Sequence, residues 1–374
     1  MVSLLALLCF GSFVHSGYIV TLKSRDRAVG ATRHLEKVQK LFNRERSFGE
    51  NRIERVFESA LNGYVAQFSE RVLNKVKAMG EVEAVEADQM ANATAVQHNA
   101  PWGLARLTSR GRLAAGDLSY PHDPHGGRGV DVYIVDTGIN IRHPEFQGRA
   151  RWGANFVHGS PNMDETGHGT HVAGIIASKT YGVAKGASVV GIKVFDAKSQ
   201  GLNSQIIAGI EWAIRNKQRG RGNVLNLSLE SGYSEALNSA VRAAKAAGFV
   251  VVVAAGNANV DACTVSPASE TSVLTVGATN LFDSKAGFSN WGRCLDVFAP
   301  GENILSAWNN GRTRYLSGTS MAAPHVSGMA AILINKANTN SHDRIANIIL
   351  SSAKKNLVSN IANSPNRLVT LASN

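Results

Sequence analysis

The side chains of Asp136, His168 and Ser320 bring a carboxylate, an imidazole and a hydroxyl, and Asn257 adds a primary amide. Together they supply what acyl transfer needs: a nucleophilic oxygen, a base for its proton, a carboxylate that fixes the base's tautomer, and a donor for the oxyanion. Singly, each has an ordinary reading. Asp136, in Asp136-Thr137-Gly138, caps a turn at a strand end. Ser320, in Gly318-Thr319-Ser320-Met321, is an N-cap hydroxyl, with Pro324 in the first turn of the helix that follows. Asn257 is a turn residue in Ala254-Ala255-Gly256-Asn257, and His168 is one of eleven histidines. His168 and His171 stand at i and i+3, so a metal-dependent hydrolase using both with Asp136 is a rival. The glutamate of an H-E-x-x-H helix is missing, and His171 is expected to be a packed, hydrogen-bonded neighbour.

The elements that must position these groups are legible as alternating apolar strands and helical segments beyond Trp102. Val130 to Val135, Ser188 to Val194, Asn223 to Leu229, Phe249 to Ala255 and Val273 to Gly277 are the clearest strands, each ending in a turn. The fold class expected is α/β, a doubly wound, mainly parallel sheet flanked by helices. Ligands of such sheets bind at the carboxyl ends of strands, where the candidate residues fall, or at the helix starts that follow. Before this comes a small α+β unit, with strands Tyr18 to Leu22, Ile53 to Phe57, Gly63 to Phe68 and Val82 to Glu86, and helices His34 to Phe42 and Glu70 to Met79. The segment 1–16 is apolar, uncharged up to Phe13 and too short to span a bilayer, which reads as a signal peptide. The expected domains are therefore 1–16, 17–94 and 95–374.

Composition narrows the class further. With 44% hydrophobic and 18% charged residues in 374, the chain is an ordinary globular protein, too long for one core. The net charge of +11 is uneven: from Ala95 onward there are 26 basic against 17 acidic residues, a balance of +9. No basic helix with interleaved aromatics accompanies it, so neither nucleic acid nor a membrane is an expected partner, and a monomer is expected. Removal of 1–16 takes Cys9 with it and leaves Cys263 and Cys294 in an oxidising compartment. They are either one disulfide, stabilising by roughly 3–4 kcal/mol, or two unrelated buried thiols. Asn92-Ala93-Thr94 is a glycosylation sequon in a polar connector, Met90 to Gln97, that is also a candidate cleavage site.

The runs Val135-Asp136-Thr137-Gly138-Ile139, His143-Pro144-Glu145-Phe146, Gly167-His168-Gly169-Thr170-His171, Ser266-Pro267-Ala268-Ser269 and Gly318-Thr319-Ser320-Met321-Ala322 resemble the subtilase family of serine peptidases, proteinase K group, over essentially all of Ala100 to Asn374. The order Asp, His, Ser is also theirs. The resemblance implies a secreted endopeptidase with a catalytic triad of Asp136, His168 and Ser320, Asn257 as oxyanion donor, and no cofactor for catalysis. It implies that substrate lies extended between Ser199 to Gly201 and Ser228 to Gly232, Leu229 included, with the specificity side chain between walls at Ala254, Ala255 and Gly256. Glu230 stands where the family usually has glycine, and its carboxylate narrows the cleft, attracts Lys or Arg near the cleaved bond, or turns to solvent. Ser199 is a smaller departure of the same kind. Asp296, with the carbonyls of Thr271 and Val273, resembles a structural calcium site, and Cys263 with Cys294 matches a disulfide of some relatives. The unit Tyr18 to Asp88 resembles the family's inhibitory prosegment, expected to block the cleft until self-cleavage between Met90 and Val96. A silent binding protein that keeps the fold is the other class, and it usually lacks a triad member.

Overall fold

The structure, a computed structural model, describes residues 17–23, 27–45, 51–57, 59–88, 95–109, 111–114 and 116–371. The signal-like segment, the sequon and most of the candidate cleavage span lie outside them. Two compact units divide the chain, one within residues 1–92 and one within 93–374.

The first unit contains β1 (Tyr18–Leu22), α1 (Arg27–Arg44), β2 (Arg52–Phe57), β3 (Gly63–Gln67), α2 (Glu70–Lys77) and β4 (Val82–Ala87). Its strands form an antiparallel sheet in the order β2-β3-β1-β4. Val72, Leu73 and Val76 recur at helical spacing in α2 and are buried together with Val38 of α1 and with Val20, Tyr64 and Ala66 of the sheet. Helix α1 begins seven residues earlier than expected.

The second unit opens with β5 (Ala95–Gln97), α3 (Trp102–Thr108), β6 (Tyr120–His122), β7 (Val130–Asp136) and β8 (Ala150–Asn155). Next come α4 (His168–Ala177), β9 (Ser188–Lys193), α5 (Asn203–Asn216), β10 (Gly222–Leu227), β11 (Ser231–Gly232), α6 (Glu235–Ala246) and β12 (Val250–Ala254). The chain continues through β13 (Val265–Ser266), β14 (Leu274–Thr279), β15 (Val297–Pro300), the hairpin β16 (Ile304–Ala307) and β17 (Thr313–Leu316), α7 (Thr319–Ala337), α8 (His342–Ser352), β18 (Lys354–Lys355) and β19 (Arg367–Leu368). A nine-stranded sheet runs in the order β18-β19-β15-β14-β12-β10-β7-β9-β8. All its pairs are parallel except β18 with β19.

Alternate residues of the central strands feed two cores, because side chains along a strand point to opposite faces. Val130, Val132 and Ile134 pack with Val172 and Ile176 of α4 and Val326 and Met329 of α7. Tyr133 and Val135 pack with Ile206 and Ile210 of α5 and Leu237 and Val241 of α6. The strand order reverses beside β7: β8 and β9 lie on one side, and β10, β12, β14 and β15 on the other. Such a switch point leaves a crevice at the strands' carboxyl ends, where Asp136 stands. No helix among the described residues is long and apolar enough to cross a membrane.

Candidate active site

Asp136 is the last residue of β7 and fully buried; its Oδ1 accepts the Thr137 N–H at 2.7 Å. The same carboxylate meets the imidazole of His168, the first residue of α4, with Nδ1 2.8 Å from Oδ1 and 3.0 Å from Oδ2. A carboxylate can only accept here, so Nδ1 carries the proton and Nε2 is left with its lone pair. Burial pulls the His168 pKa down, but the charge and hydrogen bond of Asp136, helped by Asp164, more than offset that, and the net shift is upward.

A second carboxylate, absent from the sequence reading, holds this pair in register. Asp164 is 3% exposed; its Oδ1 accepts from Thr137 Oγ1 at 2.8 Å and Gly167 N–H at 2.8 Å, and its Oδ2 accepts from Thr170 N–H at 2.9 Å and Thr170 Oγ1 at 2.6 Å. Thr137 Oγ1 in turn accepts the Gly169 N–H at 2.9 Å. One buried group thus clips the end of β7 to the first turn of α4, satisfying N–H groups that a helix start leaves orphaned. Gly167 precedes His168 at φ +98, and a Cβ there would meet the ring of Trp308 at 2.4 Å, so this tight entry needs glycine. Lys193, fully buried beside Asp136 in the parallel register, donates to the carbonyls of Thr137 at 3.0 Å and Phe195 at 2.8 Å.

Ser320 is the second residue of α7 and 8% exposed. The N-cap is Gly318, not Ser320, and Pro324 lies inside the helix, past its first turn. The proline has no N–H to give the Ser320 carbonyl, which accepts from Ser228 Oγ at 2.9 Å instead. Buried Asn226 orients that serine, donating to Ser228 Oγ at 3.0 Å while its Oδ1 accepts from Ser327 at 2.8 Å. Ser320 Oγ itself donates to the Ser228 carbonyl at 3.1 Å, and no hydrogen bond joins it to His168 among the described residues. Asn257, exposed three positions past β12, accepts from Thr319 N–H at 2.8 Å and Thr319 Oγ1 at 3.0 Å through Oδ1. Both partners are donors to it, so the amide is fixed with its NH2 turned away from Thr319.

His168, Thr137, Ser199, Gly201, Ser228, Leu229 and Glu230 line one cleft of about 470 Å³. Ser199 has φ +59, the left-handed conformation in which glycine costs least, which explains why glycine suits that position. Ala254, Ala255 and Gly256, expected as pocket walls, are buried and are not among the residues lining this cleft; the Glu230 side chain lies against Gly256. Its Oε2 accepts the Asn257 N–H at 2.8 Å. His171, fully buried, places Nε2 3.0 Å from the Ile304 carbonyl and 2.9 Å from that of Arg314. Burial lowers its pKa to about 4, so the ring is neutral, and through Nε2 it ties α4 to the β16–β17 hairpin. Among the described residues no three His, Cys, Asp or Glu side chains cluster to hold a metal.

Cys263 and Cys294 are bonded to each other with Cα atoms 5.3 Å apart, which removes the two-thiol alternative. Asp296 accepts the Thr275 N–H at 2.8 Å through Oδ2. Burial pushes its carboxyl up to about 6, against the pull of that N–H and of Arg367.

Residues 127–367 match the Subtilase family, and residues 17–93 match Peptidase inhibitor I9. Subtilisin-like protease 3 of Pseudogymnoascus destructans is 45% identical over 315 residues, covering 82% of this chain and 78% of its own. Proteinase R of Parengyodontium album is 39% identical over 355 residues, covering 94% and 87%. A crystal structure of a cold adapted subtilisin-like serine proteinase superimposes with a TM-score of 0.69 at 41% identity, covering 74% of this chain and all of that one.

Proposed function

Because the chain belongs to the subtilase family of serine peptidases and carries a segment of the Peptidase inhibitor I9 family before it, we propose a secreted endopeptidase zymogen in which Ser320, His168 and Asp136 form the catalytic triad and Asn257 holds the oxyanion. The observation that carries this reading is the Asp136–His168 contact, which leaves Nε2 as the free nitrogen of a ring lining the cleft. Ser320 Oγ rests on the Ser228 carbonyl and swings between staggered rotamers to meet Nε2 when substrate is bound, as catalytic hydrogen bonds often tighten only then. Oγ attacks the scissile carbonyl carbon as Nε2 takes its proton. The tetrahedral oxyanion is held by the Asn257 NH2 and by the Ser320 N–H, which has no acceptor of its own among the described hydrogen bonds. The protonated imidazole then hands its proton to the leaving amine, and water repeats the cycle on the acyl-enzyme. In a subtilisin, loss of such an amide donor costs about 2.7–4 kcal/mol of transition-state stabilisation.

The segment 17–94 is proposed to template the slow-folding parallel sheet and then to inhibit until it is cut between Met90 and Val96. The apolar segment 1–16 supports secretion, which would also expose the Asn92 sequon to glycosylation. Hydrolysis of a chromogenic peptide, abolished by a serine-directed inhibitor and indifferent to a zinc chelator, is the expected result; zinc dependence would transfer the activity to a metal.

We also propose a hard cation held by Asp296 with the carbonyls of Thr271 and Val273. Asp296 Oδ1 has no partner among the described residues, and neither do the carbonyls of Thr271 and Val273. Calcium held there would act on stability alone. Chelation with EGTA should lower the melting temperature, and at a hundred times Kd the ion would contribute about 2.7 kcal/mol. Asp296→Asn should abolish the calcium dependence; equal melting of the unaltered enzyme with and without calcium would remove the site.

A further inference from the structure

Glu230 is a carboxylate that reaches from a segment the peptide-hydrolase reading puts beside the substrate to the segment it expects to wall the specificity pocket. Its backbone follows Ser228 and Leu229 beyond β10, and its side chain reaches Gly256 and Asn257 beyond β12. The reach is close: a Cβ on Gly256, which sits at φ +102, would fall 2.0 Å from Glu230 Oε2. Glycine at 256 is therefore what lets the carboxylate lie there. Oε2 accepts the Asn257 N–H, while Oε1 has no partner among the described residues. No ion pair engages the group among the described residues, and the other residues lining the cleft bring no Asp, Glu, Lys or Arg. The imidazole of His168 is the one other titratable side chain along it. An unpaired negative charge in a cleft whose other walls are uncharged sets a local potential that favours cations.

We infer that Glu230 makes the enzyme prefer a peptide whose residue just before the scissile bond is Lys or Arg. This rests on the peptidase reading and on the family's substrate path. A flexible ammonium or guanidinium entering the cleft beside Leu229 would meet Oε1, while Oε2 stays on the Asn257 N–H. The carboxylate is solvent-exposed, so the gain is that of an exposed ion pair, about two- to fivefold in kcat/KM. It falls as salt screens it.

The test uses the mature enzyme and a peptide series identical except for Lys, Gln, Leu or Glu before the cleaved bond. The quantity read is the Lys-to-Gln ratio of kcat/KM within each enzyme, so a general change in turnover cancels. The unaltered enzyme should show a ratio of about two to five at low salt, collapsing toward one in 1 M salt. Glu230→Gln keeps an acceptor for the Asn257 N–H but removes the charge, and should bring the ratio to one at every salt concentration; Glu230→Gly should do the same. A ratio of one in the unaltered enzyme, or one that survives Glu230→Gln, overturns the inference and leaves Glu230 as a brace for Asn257. An enzyme that cleaves none of the peptides fails the peptidase reading itself, whereas one that cleaves all four alike fails only this inference. Should the variants not mature, the ratio of the unaltered enzyme and its salt dependence decide alone.

Discussion

Ser320→Ala, expressed as the full chain, should accumulate with residues 17–94 still attached and should hydrolyse peptides about 10⁶-fold more slowly than the unaltered enzyme, the scale of loss for a subtilisin stripped of its nucleophile. The size follows from the arrangement of the site. Asp136 and His168 remain hydrogen-bonded in the variant, but an imidazole with no hydroxyl beside it has only water to activate. The oxyanion donors survive, so a residual rate of about 10³–10⁴ over uncatalysed hydrolysis should persist. Mass spectrometry of the amino terminus, on protein made with no other peptidase present, reads the processing. A variant trimmed normally under those conditions would show that another enzyme matures the chain.

Asp136→Asn should cost about 10⁴ in kcat and shift the pH profile as well. An amide at 136 can offer its NH2 to Nδ1, which moves the ring proton to Nε2 and leaves the hydroxyl facing a donor. Burial pulls His168 down and the Asp136 charge lifts it above the ordinary imidazole value of about 6.5. In the unaltered enzyme kcat/KM should therefore rise with pH through a midpoint above that value, and in Asp136→Asn the midpoint should fall. Asp164→Asn should move the limb the same way with a smaller rate loss, because Asp164 supports the imidazolium through its charge and positions α4 without touching the ring. A limb that stays in place in both variants would deny the carboxylates their electrostatic part. The sign for stability is opposite to that for activity: a raised imidazole pKa stabilises the fold fully below about 6.5, and this contribution is lost as pH climbs through the folded-state value.

The central strands were legible almost to the residue because a parallel sheet covered on both faces reads as unbroken apolar runs. Phe249 to Ala255 against Val250–Ala254 shows how close such a reading comes. Strand ends and helix starts followed, and with them the placement of Asp136, His168 and Asn257. The start of α1 is not legible because Arg27 to Arg33 holds Gly30 and, Val29 apart, only alanines as apolar residues, too little to set a helical period. The roles of Asp164, Thr137 and Asn226 are not legible in the sequence, since a buried polar residue that spans two elements has no local pattern and acquires its meaning from partners far along the chain. The ordinary reading of Ser320 as a cap fails for a related reason: Gly318 and Thr319 already form the helix entry, and Pro324, past the first turn, leaves a carbonyl free for Ser228. The reach of Glu230 to Asn257 was likewise invisible, because Gly256 permits it only once β10 and β12 lie side by side.

The order of elements around β7 also bears on synthesis. A ribosome delivers Asp136 and His168 early and α7, with the hydroxyl, near the end. A growing polypeptide that stalls or breaks before α7 carries the proton-handling half of the machinery and no means of attacking a peptide bond, so interrupted translation yields fragments harmless to the cell that makes them.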